Sequence, residues 1–186
     1  MKLSFMKICF KDMKHILYSF VFVLSVVACH AQTAVDRTAH CENPAFDKKV
    51  ENLIRFSVPT ISVEELAQME NVVIADTREK EEYMVSHIPD AQYLGYKKFD
   101  VAQLGDTPKD APIVLYCSIG YRSEKIGEKL QKMGYTNVYN LYGSLFEWVN
   151  QGHPIVTPQG EETNRVHTYN RKWSQWLDEG KAEKVW

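Results

Sequence analysis

The chain has 186 residues, 45% of them hydrophobic and 25% charged, enough for one domain with a sizeable core. A formal net charge of −2 excludes a general electrostatic attraction to nucleic acid. The four cysteines, Cys9, Cys29, Cys41 and Cys117, form neither a disulfide framework nor a metal-ligating pattern, so no metal or cofactor is expected.

Residues 1–31 read as an export signal. Lys2, Lys7, Lys11 and Lys14 precede an apolar run from Ile16 to Ala28. That run is too short to span a bilayer comfortably but suits a signal-peptide core. Its end has two readings. Val26-Val27-Ala28-Cys29 resembles a lipobox, in which Cys29 is lipidated; small residues at Cys29 and Ala31 equally suit ordinary cleavage before Gln32. Both readings place the protein in a bacterial periplasm or anchored at the cell envelope, with membrane contact only through a lipid.

Residues 32–56 are expected to form a tether and an amphipathic helix. Gln32 to Glu42 is polar and unpatterned. After Asn43-Pro44, the residues Phe46, Val50, Leu53 and Ile54 fall on one helical face. Cys41 then reads as an unpaired, incidental cysteine in a linker, the alternative being a partner for Cys117.

The next hundred residues alternate strand and helix signals. Thr60-Ile61 is extended, and Ser62 with Glu65 has the form of a capping box. Asn71 to Asp76 is an apolar run, as expected of a buried parallel strand. Glu79 to Val85 is a short helix, His87 to Ala91 a turn, Gln92 to Leu94 a strand, and Lys97 to Leu104 a helical or irregular crossover. Pro112 to Tyr116 is a strand rich in branched and aromatic residues. Cys117 to Ser123 is a loop, with Ser123 the expected cap of a helix carrying Ile126, Leu130 and Met133. Asn137 to Asn140 is a strand, and Gly143-Ser144 opens a helix that Gly152-His153-Pro154 ends. Strands alternating with helices imply an α/β parallel sheet. Beyond it, residues 157–186 form an aromatic-rich extension. Val166, Tyr169, Trp173, Trp176 and Leu177 recur at helical spacing, which predicts a helix over the domain or the active-site rim. The rival reading is a docking element with exposed aromatics.

The chemistry is expected at Cys117. A loop between a strand end and a helix start turns backbone N–H groups inward and lies at the positive end of the helix dipole. That setting, with Arg122 nearby, lowers a thiol's pKa. Gly120 suits a residue that turns through positive φ or passes close to a bound group.

Several segments together resemble the rhodanese family: Asp76-Thr77-Arg78, with Glu82-Tyr83 and His87-Ile88-Pro89-Asp90-Ala91, then the loop Cys117 to Arg122, then Leu141-Tyr142-Gly143-Ser144 with Trp148, Gly152 and Pro154. The resemblance covers residues 57–156. It implies a rhodanese-like parallel sheet flanked by helices on both faces, with N-terminal and C-terminal helical extensions. It also implies a sulfurtransferase. Cys117 would take sulfane sulfur from a small donor (thiosulfate, persulfide or polysulfide), hold it as a persulfide, and pass it to a thiol, a cyanide-like acceptor or a protein thiol. Ser118, Ile119, Gly120, Tyr121, Arg122 and Ser123 would form the substrate-binding loop, with Arg122 shaping it and binding an anionic donor. Asp76, Arg78 and His87 would support it structurally.

Two departures bear on substrate. Ser144 stands where the family usually has a second glycine. Ser118, Ile119 and Tyr121 are uncharged, which disfavours thiosulfate and leaves Tyr121 and Ile119 as an apolar lip. Two rival functions remain to be weighed. Phosphatase or arsenate reductase chemistry needs a wider loop, and the four residues between Cys117 and Arg122 are one too few. A non-catalytic sulfur-carrier or redox-interaction module would keep Cys117 and dock through the tail.

Overall fold

The computed structural model describes residues 39–186. The segment expected to be an export signal, with Cys9 and Cys29, and the first part of the expected tether lie outside the described residues. Within them, no helix is long and apolar enough to cross a membrane.

The helices begin where local chemistry satisfies their free N–H groups. Asn43 Oδ1 accepts from the N–H groups of Ala45 and Phe46, with Pro44 at the first helical position, and starts α1 (Pro44–Glu51). β1 (Thr60–Ile61) runs into α2 (Val63–Gln68) through the Ser62–Glu65 capping box. Then come β2 (Val73–Asp76), α3 (Lys80–Val85), β3 (Gln92–Tyr93), a 3-10 turn at Val101–Leu104, β4 (Ile113–Tyr116), α4 (Tyr121–Lys132), β5 (Val138–Leu141) and α5 (Ser144–Asn150).

The five strands form one parallel sheet in the order β1-β5-β4-β2-β3. Every residue of β4 is buried, as a central strand covered on both faces requires. Successive side chains alternate between two cores. Val114 and Tyr116 face a core with Phe46, Val50, Leu66, Leu145 and Phe146; Ile113 and Leu115 face another with Leu104, Ile126 and Leu130. Helices therefore cover both faces. The register aligns Asp76 with Tyr116 and Leu115 with Asn140. The carboxyl ends of β2, β4 and β5 thus meet at one edge of the sheet, where ligands of parallel sheets collect.

Two segments differ from expectation. The end of the tether is packed: Ala39 and Cys41 are buried, Cys41 N–H donates to Asp47 at 2.8 Å, and Glu42 N–H donates to Glu147 at 2.8 Å. The tail is not a helix. After β6 (Ile155–Val156), the chain turns back as β7 (Glu162–Thr163), antiparallel to β6; β8 (Arg165–His167) then pairs in parallel with β9 (Glu183–Val185). The apolar spacing from Val166 to Leu177 mimics a helix, but Tyr169 adopts a left-handed φ of 66° and Val166 pairs its backbone with Lys184. The side chains instead reach the core from a folded loop. Val166 and Leu177 are buried in it, and Trp176 stacks on Phe46 with ring centroids 5.7 Å apart. Asn150 clamps this loop, donating to the Trp176 carbonyl at 3.0 Å and accepting from Asp178 N–H at 2.9 Å.

The tail is therefore part of the hydrophobic core. Leu177→Ala should lower unfolding free energy by about 2–5 kcal/mol, measured by urea denaturation; an appended, uncoupled tail would give no change.

Candidate active site

β4 carries the chain to Cys117, and the loop that follows is tied down by its carbonyls. The Tyr116 carbonyl accepts from Thr77 N–H at 2.9 Å and Thr77 Oγ1 at 2.8 Å. The carbonyls of Cys117 and Ser118 accept from Leu145 N–H at 3.2 Å and Phe146 N–H at 3.1 Å, both on the first turn of α5. The Gly120 carbonyl accepts from Asn140 Nδ2 at 3.0 Å and Glu124 N–H at 3.2 Å. With these oxygens turned outward, the N–H groups of Ile119, Gly120 and Ser123 face the sulfur. Gly120, at φ 115°, caps α4, and its N–H reaches Cys117 Sγ at 3.1 Å. Such a φ suits glycine.

Ser144 and Ser123 occupy unexpected roles. Ser144, at φ 54°, is buried; its hydroxyl accepts from Cys117 N–H at 3.2 Å and donates to the Leu141 carbonyl at 3.1 Å. The departure from a second glycine thus supplies a brace behind Cys117. Ser123 is not the helix cap. α4 begins two residues earlier, so the Ser123 side chain lies buried inside the first turn while its N–H faces the sulfur.

The thiol is 1% exposed. Burial acts to raise its pKa, but the Arg122 guanidinium and the N–H groups of Ser123, Gly120 and Ile119 outweigh burial and hold it below the ordinary thiol value. Arg122 does not act alone. It makes a bidentate pair with Glu82, at 2.6 and 2.8 Å, and donates to Ser118 Oγ at 3.0 Å. Glu82 is 2% exposed; burial acts to raise its carboxyl pKa, and Arg122, then Arg78, bring it below the usual range. Sequence reasoning noted Glu82 only as part of a signature and missed this contact. Its position in the first turn of α3, where it also accepts from Glu79 N–H at 2.9 Å, was the available clue.

Asp76, Arg78 and His87 stand behind the loop. Asp76 and Arg78 pair with each other at 2.6 Å, both fully buried, and Arg78 also donates to the Ser86 carbonyl at 2.6 Å. Burial acts against the Arg78 charge, and Asp76 more than offsets it. His87 stacks on Tyr83 at 4.0 Å, approaches the Tyr83 carbonyl through Nδ1 at 3.2 Å, and exchanges backbone bonds with Val156. It holds the turn and does not line the cavity over Cys117.

That cavity, about 380 Å³, has Cys117 among its lining residues. Ile119 and Tyr121 contribute the loop side, Leu53 the N-terminal side, Tyr96 and Lys97 the segment after β3, and Tyr169 and Trp173 the tail. Cys41 is elsewhere. It is a free, buried thiol packed against Gly143 and hydrogen-bonded to Glu147; burial, then the Glu147 charge, pushes its pKa far up. It is a core residue, correcting the expectation of a linker cysteine, and no disulfide joins it to Cys117.

The family model for the Rhodanese-like domain matches residues 62–151. A sulfurtransferase of Allochromatium vinosum is 37% identical over 95 residues, covering 51% of this chain and 88% of that protein. The chain belongs to the rhodanese-like family. The thiosulfate sulfurtransferase GlpE of Coxiella burnetii is 32% identical over 85 residues, 45% of this chain and 78% of that protein. Among solved structures, the BH2092 protein of Bacillus halodurans shares the fold, with a TM-score of 0.50 and 21% identity over 63% of this chain and 89% of its own. Tyr169 and Trp173 lie beyond the matched family segment.

The two thiols should separate cleanly by reactivity. At neutral pH, iodoacetamide should label Cys117 and leave Cys41 intact, read by peptide mass spectrometry. The labelling midpoint of Cys117 should fall below that of an ordinary free thiol, since a depressed pKa extends the thiolate to lower pH. Arg122→Ala, which removes the cation and leaves Glu82 unpaired, should move that midpoint upward.

Proposed function

We propose that the protein is a sulfurtransferase that moves sulfane sulfur through a persulfide on Cys117. The observation that carries this reading is a thiol at the end of β4 that faces the N–H groups of Gly120, Ile119 and Ser123 and lines a cavity together with Arg122. The names of the relatives from Allochromatium vinosum and Coxiella burnetii support the same reaction class.

The chemistry divides into two displacements. In the first, the Cys117 thiolate attacks the outer sulfur of a donor. With thiosulfate, Cys–S⁻ and S–SO₃²⁻ give Cys–S–S⁻ and SO₃²⁻; a persulfide or polysulfide donor releases a thiolate or a shortened chain instead. In the second, a thiol, cyanide or a protein thiolate attacks the terminal sulfur, and Cys117 leaves as thiolate. The loop N–H groups stabilise negative charge on sulfur in both directions. Each half-step is a displacement at sulfur in which the leaving group carries away the electron pair of the broken S–S bond, so the chemistry calls for no outside oxidant or reductant.

Arg122 serves loop shape more than donor binding in this scheme, because Glu82 and Ser118 already hold its donors. We further propose that the protein works outside the cytoplasm, on the basis of the lysines and apolar run of residues 1–31.

The wild-type protein incubated with a sulfane donor should gain one sulfur on Cys117 by intact-mass measurement, and Cys117→Ser should neither gain it nor transfer sulfur. Retained transfer in that variant would refute the mechanism. Arg122→Ala should lower turnover with thiosulfate and with polysulfide alike, by about 100-fold; a loss confined to thiosulfate would make the guanidinium a donor-binding group.

A further inference from the structure

We propose that the tail, through Tyr169 and Trp173, makes this site selective for sulfane sulfur carried on an organic body with an apolar or aromatic group, R–S–SH, over small dianionic donors. The inference rests on the sulfurtransferase reading above and names its substrate class.

The first argument is the wall itself. The matched family segment ends at residue 151, so the aromatic side chains at 169 and 173 are an addition to the shared domain. They line the same cavity as Cys117, together with Ile119 and Tyr121 from the loop and Leu53. The wall is anchored. Leu177 and Val166 are buried, Asn150 holds both sides of the Trp176–Asp178 turn, Ser86 Oγ donates to the Arg165 carbonyl at 2.6 Å, and the Lys49 ammonium sits 5.3 Å from the Trp173 ring centroid. A fixed aromatic wall gains affinity from an apolar ligand with little ordering cost.

The second argument is charge. A dianion needs free cations, and the nearest is already engaged. Arg122 is paired twice with Glu82, and Tyr169 lies across it, with its ring centroid 5.5 Å from the guanidinium carbon. Lys97 lines the cavity, but its side chain is 78% exposed and lies 3.8 Å from Glu79. An exposed, screened ammonium attracts a dianion weakly.

The third argument is size. A cavity of about 380 Å³ lies within the usual range for small organic ligands, roughly 300–1,000 Å³. Thiosulfate would occupy a small part of it and leave the aromatic surface unmatched. An R–S–SH donor would place its outer sulfur on Cys117 and its body against Tyr169 and Trp173. The step balances as Cys–S⁻ + R–S–SH → Cys–S–SH + R–S⁻: the sulfane S–S bond breaks, a new S–S bond forms at Cys117, and the donor leaves as thiolate.

The test uses the full chain and two probes, benzyl persulfide and thiosulfate, with the rate of sulfur gain on Cys117 followed by rapid-quench intact-mass measurement. The wild-type protein should load faster from benzyl persulfide. Tyr169→Ala and Trp173→Ala should each lower kcat/KM for benzyl persulfide by about tenfold and leave thiosulfate loading within about threefold, well below the size of a pocket effect. Tyr169→Phe, which keeps the ring, should retain the wild-type ratio. Because Tyr169 is half-exposed, its substitution reads the wall with the core intact even where Trp173→Ala loosens the tail. An unchanged ratio of the two rates in Tyr169→Ala and Trp173→Ala, or a wild-type preference for thiosulfate, would overturn the selectivity while leaving the transferase reading standing. No sulfur gain from either donor would instead overturn that reading, and the selectivity with it.

Discussion

The structure depends on where one short loop sends its carbonyl groups. Four carbonyls between Tyr116 and Gly120 are taken: that of Tyr116 by Thr77, of Cys117 by Leu145, of Ser118 by Phe146, and of Gly120 by Asn140 and Glu124, groups contributed by the end of β2, α5, β5 and α4. A peptide plane whose oxygen faces out turns its N–H the other way. The sulfur of Cys117 therefore sits where several N–H groups converge, at the start of a 12-residue helix. An anion there meets fixed dipoles that need no reorganisation when negative charge develops. The parallel sheet, its register and the helices on both faces all serve to bring those acceptor-satisfying groups to one edge.

Two buried ion pairs keep that frame from relaxing. Asp76 and Arg78 join the end of β2 to the turn at Ser86, and Glu82 and Arg122 join α3 to α4 across the loop. Such pairs add little net stability against an apolar replacement, yet breaking one costs about 3–5 kcal/mol because a buried charge is left alone. Their value here is geometric. Glu82 also changes what Arg122 can do: a guanidinium already gripped by a carboxylate and a serine hydroxyl holds shape and lowers the thiol's pKa, with little capacity left to seize a dianion. The tail then adds an aromatic wall to a site whose local charge is balanced, and substrate choice moves from charge towards shape and apolar contact.

Much of this was legible in the residues. The switch from strand-like Ile113–Tyr116 to helical spacing at Ile126 and Leu130, with Gly120 between them, marked the strand–loop–helix unit. Asn43-Pro44 and the Ser62–Glu65 capping box marked two helix starts. What stayed hidden depended on contacts distant in sequence. Ser123 looked like a cap, but the positive φ of Gly120 starts α4 earlier. Cys41 lies in a polar stretch, and only its packing against Gly143 and Glu147 makes it a core thiol. Glu82 becomes a site residue only when α3 is laid against α4. The tail's apolar spacing satisfied a helical period, while its backbone found a better partner in β9 and turned sharply at Tyr169. Periodicity reports which side chains are buried, and here it did so correctly for Val166 and Leu177; it does not report the path the backbone takes to bury them.

The most direct test of the central claim is a high-resolution crystal structure of the protein after loading with sulfur. The account places the added atom within hydrogen-bonding distance of the loop N–H groups that surround Cys117, with the carbonyls of Cys117, Ser118 and Gly120 still bound to Leu145, Phe146 and Asn140. A terminal sulfur swung out against the aromatic wall, with the loop amides turned away from it, would contradict it.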